Sequence, residues 1–325
     1  MIRTLARGGL NRLRRLKNGL VNGIDPPVVV LIYHRVTTLA SDPQLLAVTP
    51  ENFRDQMRYL RDTFPVLRFE AAWRPVRRPS VVVTFDDGYA DNFLEALPIL
   101  EEFGIPATFF VTSGALGSDQ EFWWDELERL ILGPEPKPER CRLGTPAQPR
   151  EWETASRAGR DIFYQELHPL VRVLKPLERA AWLGQLREWS GCGRTGRHSH
   201  RVLSLEELNG LAQSALVTLG AHGVTHTRLS SLSPGEQREE IVQSQKRLEE
   251  LCGQAVRVFS FPFGGSDDYD GTTLELCREA GFTRVAANIP GQAHRWSERL
   301  QVPRHLVRNW SLDEFKRNLK GFILP

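Results

Sequence analysis

Cysteine is scarce in this chain. Its 325 residues include four, Cys141, Cys192, Cys252 and Cys277, and no two of them form a CxxC pair. That spacing excludes a zinc ribbon and a dithiol redox motif. A chain of this length needs no disulfide staple to bury a core, so reduced, structural cysteines are expected. Net charge is almost absent as well. Lys and Arg number 42 against 40 Asp and Glu, leaving +2. The whole chain is therefore not a polycation, and nucleic acid is not indicated as a partner. No apolar run approaches the roughly 20 residues of a membrane-spanning helix. The N-terminus also lacks the continuous apolar centre of a secretory signal, so a cytoplasmic location is expected. No internal repeat is visible.

What is present begins with a basic N-terminal segment, residues 1–25. Within it Arg3, Arg7, Arg12, Arg14, Arg15 and Lys17 occur without an acidic residue, and Ile2, Leu5, Leu10, Leu13, Leu16 and Leu20 fall at roughly helical spacing. A basic amphipathic helix over residues 1–22 can lie on an anionic membrane surface, which would place the protein peripherally on the inner face of the membrane. The plainer reading is a solvated helix packed on the domain, or a frayed end.

Residues 26–325 read as one domain of alternating strands and helices. Apolar runs at Val28–Tyr33, Val81–Phe85, Ala107–Val111, Leu216–Leu219 and Val256–Phe259 have buried-strand character. Weaker runs occur at Arg284–Ala287 and near Leu300–Val307. Helix starts are marked by Thr49 with Pro50 and by capping boxes at Ser204/Glu207, Ser233/Glu236 and Ser311/Glu314. Strands separated by helices imply parallel pairing with right-handed crossovers. Six or seven such units point to an α/β fold, a distorted or incomplete parallel (β/α) barrel. The stretch of about 114–203 is less regular, with the breaker-rich Gly133–Pro138, and is expected to be a mostly helical insertion. In it Trp123 and Trp124 read as core anchors, with sugar stacking as the alternative.

The most informative residues are Thr84-Phe85-Asp86-Asp87-Gly88-Tyr89. Two adjacent carboxylates stand where a buried strand breaks into a loop. They repel each other and lose hydration there, and a cation is the usual compensation. Further along, His222-Gly223-Val224-Thr225-His226 supplies two imidazoles at i, i+4. One carboxylate with two histidines suits zinc or another divalent transition metal with open coordination positions. The second carboxylate is then free to act as a base. Polar residues also gather just after the predicted strands: His34, Asp86, Asp87, His222, the Phe261-Pro262-Phe263-Gly264 stretch and His305. In a parallel barrel those positions open on one face. Plainer readings exist for each. The two aspartates could cap the following helix, the histidines could be packed in the core, and the Phe-Pro-Phe-Gly stretch could be only a turn. Asp267 and Asp268 lie in a Gly- and Ser-rich loop and read as solvated.

Taken in order, these motifs resemble the polysaccharide deacetylase family, the NodB-homology domain of carbohydrate esterase family 4. Thr84–Gly88 resembles its first motif, His222-x-x-x-His226 its second and Phe261–Gly264 the tail of its third. The opening Leu31-Ile32-Tyr33-His34-Arg35-Val36 is similar to the branch that deacetylates exopolysaccharide N-acetylglucosamine. The resemblance implies a metal-dependent hydrolase that removes N-acetyl groups from a poly-, oligo- or lipid-linked saccharide. The alternatives on the same fold are an O-acetyl esterase, a non-sugar amidase, or a carbohydrate-binding relative without turnover. It implies Asp87, His222 and His226 as ligands of a divalent metal, zinc first, with cobalt, nickel or iron sharing the same ligand set. It implies Asp86 as general base, the Tyr89 backbone N–H as an oxyanion donor, and Pro262 and Phe263 as an apolar wall of the acetyl pocket. The general acid is expected from a late Leu-x-x-His type motif. Val302-Pro303-Arg304-His305 matches it best, making His305 the expected acid and His34 the substitute, or a residue that orients the metal shell. One departure stands out. Many family members carry Arg two residues before the third-motif proline, paired with the base, and this chain has Ser260 there. Arg304 is expected to replace that cation from a neighbouring strand.

Overall fold

The computed structural model describes residues 21–73, 77–145 and 148–324. Residues 1–20, which carry most of the basic amphipathic pattern and the expectation of membrane contact, lie outside the described residues. Eight strands form the main sheet: β1 (Val28–Tyr33), β2 (Val66–Leu67), β3 (Ser80–Phe85), β4 (Ala107–Val111), β5 (Val217–Ala221), β6 (Val258–Ser260), β7 (Arg284–Ala286) and β8 (His305–Leu306). Their order across the sheet is β7-β6-β5-β4-β3-β1-β8, with β2 on the lower edge of β3. Every pairing is parallel. β1 and β3 are buried along their whole length, as expected of parallel strands covered on both faces.

The sheet curls toward closure. The segment preceding β8 bridges β7 through a parallel Ala286–Val302 contact, so the gap between β7 and β8 is spanned by irregular chain. This is a distorted (β/α) barrel. The core is built from strand residues such as Val29, Leu31, Val83 and Phe85 with helix residues such as Phe53, Met57 and Leu60. Phe85 and Phe109 stack with centroids 4.6 Å apart. Helix Pro50–Thr63 starts where Thr49 caps Asn52 N–H, and it buries Phe53, Met57 and Leu60 on one stripe. The capping boxes at Ser204, Ser233 and Ser311 all form.

The segment between β4 and β5 carries helices Trp123–Leu132, Arg157–Arg172 and Pro176–Ser190. It also contains an antiparallel hairpin, Arg140–Thr145 with Gln148–Glu153, where a mostly helical insertion was expected. The hairpin exists because Cys141, Leu143 and Trp152 bury their side chains against these helices. The segment has a hydrophobic cluster of its own, including Trp124, Leu127, Phe163 and Leu186. It packs over the end of the barrel where the strands finish.

Candidate active site

The strand ends bring the polar residues together. His34 follows β1, Asp86 and Asp87 follow β3, and His222 follows β5. All four, with His226, line one cavity of about 340 Å³. Asp86, Asp87, His222 and His226 are each at most 6% exposed. Asp87 and His226 have positive φ, 76° and 50°, a region that costs a side-chain-bearing residue strain and is concentrated at functional sites. Gly88, at φ 94°, lets the turn press on β4: a Cβ there would stand 2.9 Å from Val111 Cγ1.

Asp87, His222 and His226 offer ligand atoms that all lie within 4.8 Å of one another. His222 Nε2 stands 3.5 Å and His226 Nε2 3.4 Å from Asp87 Oδ1. Ligands bound at about 2.0–2.1 Å around a tetrahedral ion are roughly 3.4 Å apart, so the spacing fits. The chemistry fits too. Asp87 Oδ1 is buried and makes no hydrogen bond. His222 Nδ1 is 2.8 Å from the Ser260 carbonyl oxygen; it donates there, which leaves Nε2 with its lone pair turned toward Asp87. His226 is held neutral, its pKa pushed down to about 3 by burial against the opposing pull of Asp87. These residues can hold a divalent metal.

Asp86 lies beside that set, its Oδ2 3.7 Å from His222 Nε2, and has partners of its own. Arg304 Nη1 and Nη2 donate to its two carboxylate oxygens at 2.7 Å each, a bidentate pair. Ser260 Oγ donates to Oδ2 at 3.1 Å and accepts from Arg304 Nη2 at 2.8 Å. Arg304 is anchored by its Nε on the Ala287 carbonyl at 3.1 Å. The residue just before β8 thus holds the cation, and the serine on β6 completes the network. Burial alone would raise the Asp86 carboxyl, but Arg304 and then His222 outweigh it and hold it well below the usual carboxylate range. His34 lines the same cavity with Nδ1 buried and unpartnered. Burial lowers its pKa, opposed by Asp87 and Asp86.

His305, Pro262 and Asp268 stand elsewhere than expected. His305 does not line the cavity. In the two-residue strand β8 the neighbouring Leu306 faces the cavity, and His305 turns to the other side, stacked on Phe322 of the C-terminal helix with centroids 3.9 Å apart. Alternation of side chains across a strand is the reason. Pro262 packs beside Gly223 and is not part of the wall, whereas Phe263 is, its ring 4.6 Å from that of His226. Tyr89 turns its ring into the insertion core, where its hydroxyl donates to Asp125 at 2.6 Å; the expectation for Tyr89 concerns its backbone N–H and is untouched by this. Asp268 is buried, not solvated, and accepts two hydrogen bonds from Arg172.

Several site residues carried no signal in the sequence. Glu240 accepts from the backbone N–H groups of Val224 and Thr225 at 2.8 and 2.9 Å, fixing the loop between the two histidines. Arg179 from the insertion donates to the Thr225 carbonyl at 2.9 Å. Trp123, Trp124, His168 and Arg172, all from the insertion, form cavity wall. The tryptophans are buried core residues and wall at once. Burial, then Arg172, lowers the His168 pKa to about 4. Only the tryptophan pair was visible as a pattern. The others come from solvated-looking helices.

Residues 74–133 and 194–285 match the polysaccharide deacetylase family. The gap between the matched stretches, residues 134–193, lies within the insertion, whose first helix Trp123–Leu132 is matched. The Bacillus subtilis protein YxkH is 21% identical over 273 residues, 82% of this chain and 66% of its own length. The poly-β-1,6-N-acetyl-D-glucosamine N-deacetylase of Escherichia coli K12 is 31% identical over 88 residues, 25% of this chain and 13% of that enzyme. The chain thus spans 66% of the first of these curated relatives and 13% of the second. Among solved structures, the Streptococcus pyogenes deacetylase PplD aligns with TM-score 0.58 and 19% identity, covering 92% of this chain and 100% of that one. IcaB from Ammonifex degensii aligns with TM-score 0.57 and 20% identity, covering 92% and 98%. At these identities the solved structures establish a shared fold. The matched stretches, which hold Asp86, Asp87, His222 and His226, belong to the polysaccharide deacetylase family.

Proposed function

We propose that the protein hydrolyses the acetamide of an N-acetylated sugar in an oligo-, poly- or lipid-linked saccharide. The observation that carries this reading is the division of labour between adjacent aspartates. Asp87 has an unpaired buried oxygen facing two imidazoles. Asp86 is ionised and clamped by Arg304. A divalent ion held by Asp87, His222 and His226, zinc first, would supply the positive charge that acidifies water and polarises an acyl oxygen.

Asp86 then serves as a fixed proton acceptor. Arg304 makes it a weak base, so it takes a proton only from water that is already acidified. The clamp keeps its carboxylate in one orientation, which removes a reorganisation cost at the moment of transfer. His34, unpartnered at Nδ1 in the same cavity, hands a proton to the departing amine; His305 cannot, because it faces the other side of β8. Phe263 and Trp124 flank His226 and keep bulk water from the acetyl end. The Tyr89 backbone N–H makes no backbone hydrogen bond among the described residues and remains the proposed oxyanion donor.

The test is acetate release from N-acetylglucosamine oligomers, measured with chelator and after return of zinc or cobalt. Aryl acetates in parallel distinguish an esterase. Loss on chelation and recovery on metal return is the expected result. Release indifferent to both would end the reading.

A further inference from the structure

The end of the barrel where the strands begin carries a second, unassigned feature. Trp73, Arg284, His294, Arg295, Ser297 and Arg299 surround a crevice of about 50 Å³. Arg284 opens β7, and Ala293 pairs with Val28 at the start of β1, so the crevice lies opposite the catalytic cavity. The Arg284 guanidinium lies 3.8 Å over the Trp73 ring and is tethered through Nη1 to the carbonyls of Phe69 and Ala71. Burial, and then repulsion from Arg299, lowers its pKa to about 10. Among the described residues no carboxylate stands within ion-pair distance of Arg284 or Arg299. The nearby Asp25 is buried and already spoken for: it accepts from the Arg295 N–H at 3.0 Å and faces His294 Nδ1 at 3.6 Å. Glu298 is exposed on the flank and accepts from Leu300 N–H.

Arg295 Nε stands 3.9 Å from Asp25, and Glu70 acts on Arg284 from beyond ion-pair distance, but Arg284 and Arg299 crowd each other without a paired carboxylate, and the first is held rigid on an indole; together they form a site for an anion with several acceptor oxygens. The space admits at least a water-sized group. Two exposed apolar side chains flank it. Trp296 is 54% exposed, stacked on His294 and covered by Arg295. Ile24, next to Asp25, is 77% exposed. An indole and an aliphatic side chain beside arginines are the composition of a lipid-interface contact, not of a nucleic-acid groove.

We propose that this crevice takes the phosphate of an anionic phospholipid headgroup, and that the barrel docks by this end on an anionic lipid surface. Docking so oriented leaves the catalytic cavity facing away from the lipid. It does not depend on the deacetylase reading.

The experiment is co-sedimentation of the full chain with vesicles of phosphatidylcholine alone or with roughly a third phosphatidylglycerol, at low and high salt. Binding to the anionic vesicles only, weakened by salt, is expected. The double variant Arg295→Glu/Arg299→Glu, with residues 1–20 still present, is expected to weaken partition by about tenfold or more, since two surface charges are reversed. Trp296→Ser is expected to weaken it severalfold, and it serves in place of the double variant should that one melt early. Unchanged partition in the folded variants would overturn the proposal, as would equal binding to neutral vesicles. Tighter binding to duplex DNA than to anionic vesicles would assign the cations to another polyanion and overturn it too. The same holds if inorganic phosphate stabilises the wild type against heat while vesicles fail to bind, because the ligand would then be free phosphate.

Discussion

The two walls of the catalytic cavity are built on different terms. On the barrel side, Asp86, Asp87 and His222 follow sheet strands and have their positions fixed by backbone pairing and buried partners such as Arg304 and the Ser260 carbonyl. On the insertion side, Trp123, Trp124, His168 and Arg172 come from helices that pack around a separate hydrophobic cluster. The barrel side carries charge and potential ligand atoms. The insertion side carries rings, a neutral imidazole and an arginine already paired with Asp268. Chemistry is thus placed where the backbone is most tightly determined, and shape where the fold tolerates change. It follows that barrel-side substitutions should fail in turnover and insertion-side ones in substrate fit.

The sharpest break would come from Asp86→Asn, which keeps shape and removes the acceptor. It should cut kcat by about 10²–10⁴, the usual contribution of a general base, while zinc content measured by atomic absorption stays near that of the wild type. Loss of metal together with activity would mean that Asp86 and Asp87 do not divide the work. Next is Arg304→Ala. It leaves a buried carboxylate unpaired and should destabilise the fold by about 3–5 kcal/mol, read as a drop in the denaturation midpoint, along with loss of turnover. Stability near wild type with full activity would show that Arg304 does not orient the base.

A pH effect separates the insertion from the barrel. Asp125, hydrogen-bonded to Tyr89 beneath the insertion, is raised by burial from 3.8 to about 7. A carboxyl raised in the folded state contributes stability that is complete below its unfolded value, near pH 4, and is lost as pH rises through about 7. Chemical denaturation across that window should show a decline of a few kcal/mol at most, and Asp125→Asn should flatten it. A decline that persists in the variant would place its origin elsewhere. On the insertion wall, His168→Ala should raise KM severalfold with kcat changed by less than about threefold, the pattern of lost ground-state binding. A large fall in kcat instead would move His168 into the chemistry. The smallest effect is expected of His305→Ala. It should cost about 1 kcal/mol of stability from lost stacking on Phe322 and leave kcat/KM within a factor of about three. A far greater kcat/KM loss would return His305 to the site.

How much was legible in the sequence follows the same divide. The barrel strands announced themselves as β-branched runs, and the residues just past them needed only the rule that parallel strands finish on one face. Ser260 in a position where a cation is common pointed to a substitute, and Arg304 stands against Asp86. His305 was misplaced because β8 is only two residues long. So short a strand shows no alternation to read, and a shift of one residue exchanges inside for outside. The hairpin at residues 140–153 was hidden by charged and proline-rich surroundings. Glu240, Arg179 and His168 gave no warning, since each acts across fifteen or more residues from helices whose local pattern is that of any solvated surface. The expectations for residues 1–20 lie beyond the described residues.

A guanidinium at 304 with a serine at 260 ties two distant stretches of chain into a single unit of inheritance. Ser260→Arg alone would drive a second cation into a space already filled, and losing Arg304 alone would strand an anion. Exchange between the two arrangements therefore requires both changes together or a damaged intermediate. Lineages with the arginine at either place should be separated by that barrier, and chimaeras that join the early half of one to the late half of the other should fail even where every catalytic group is present.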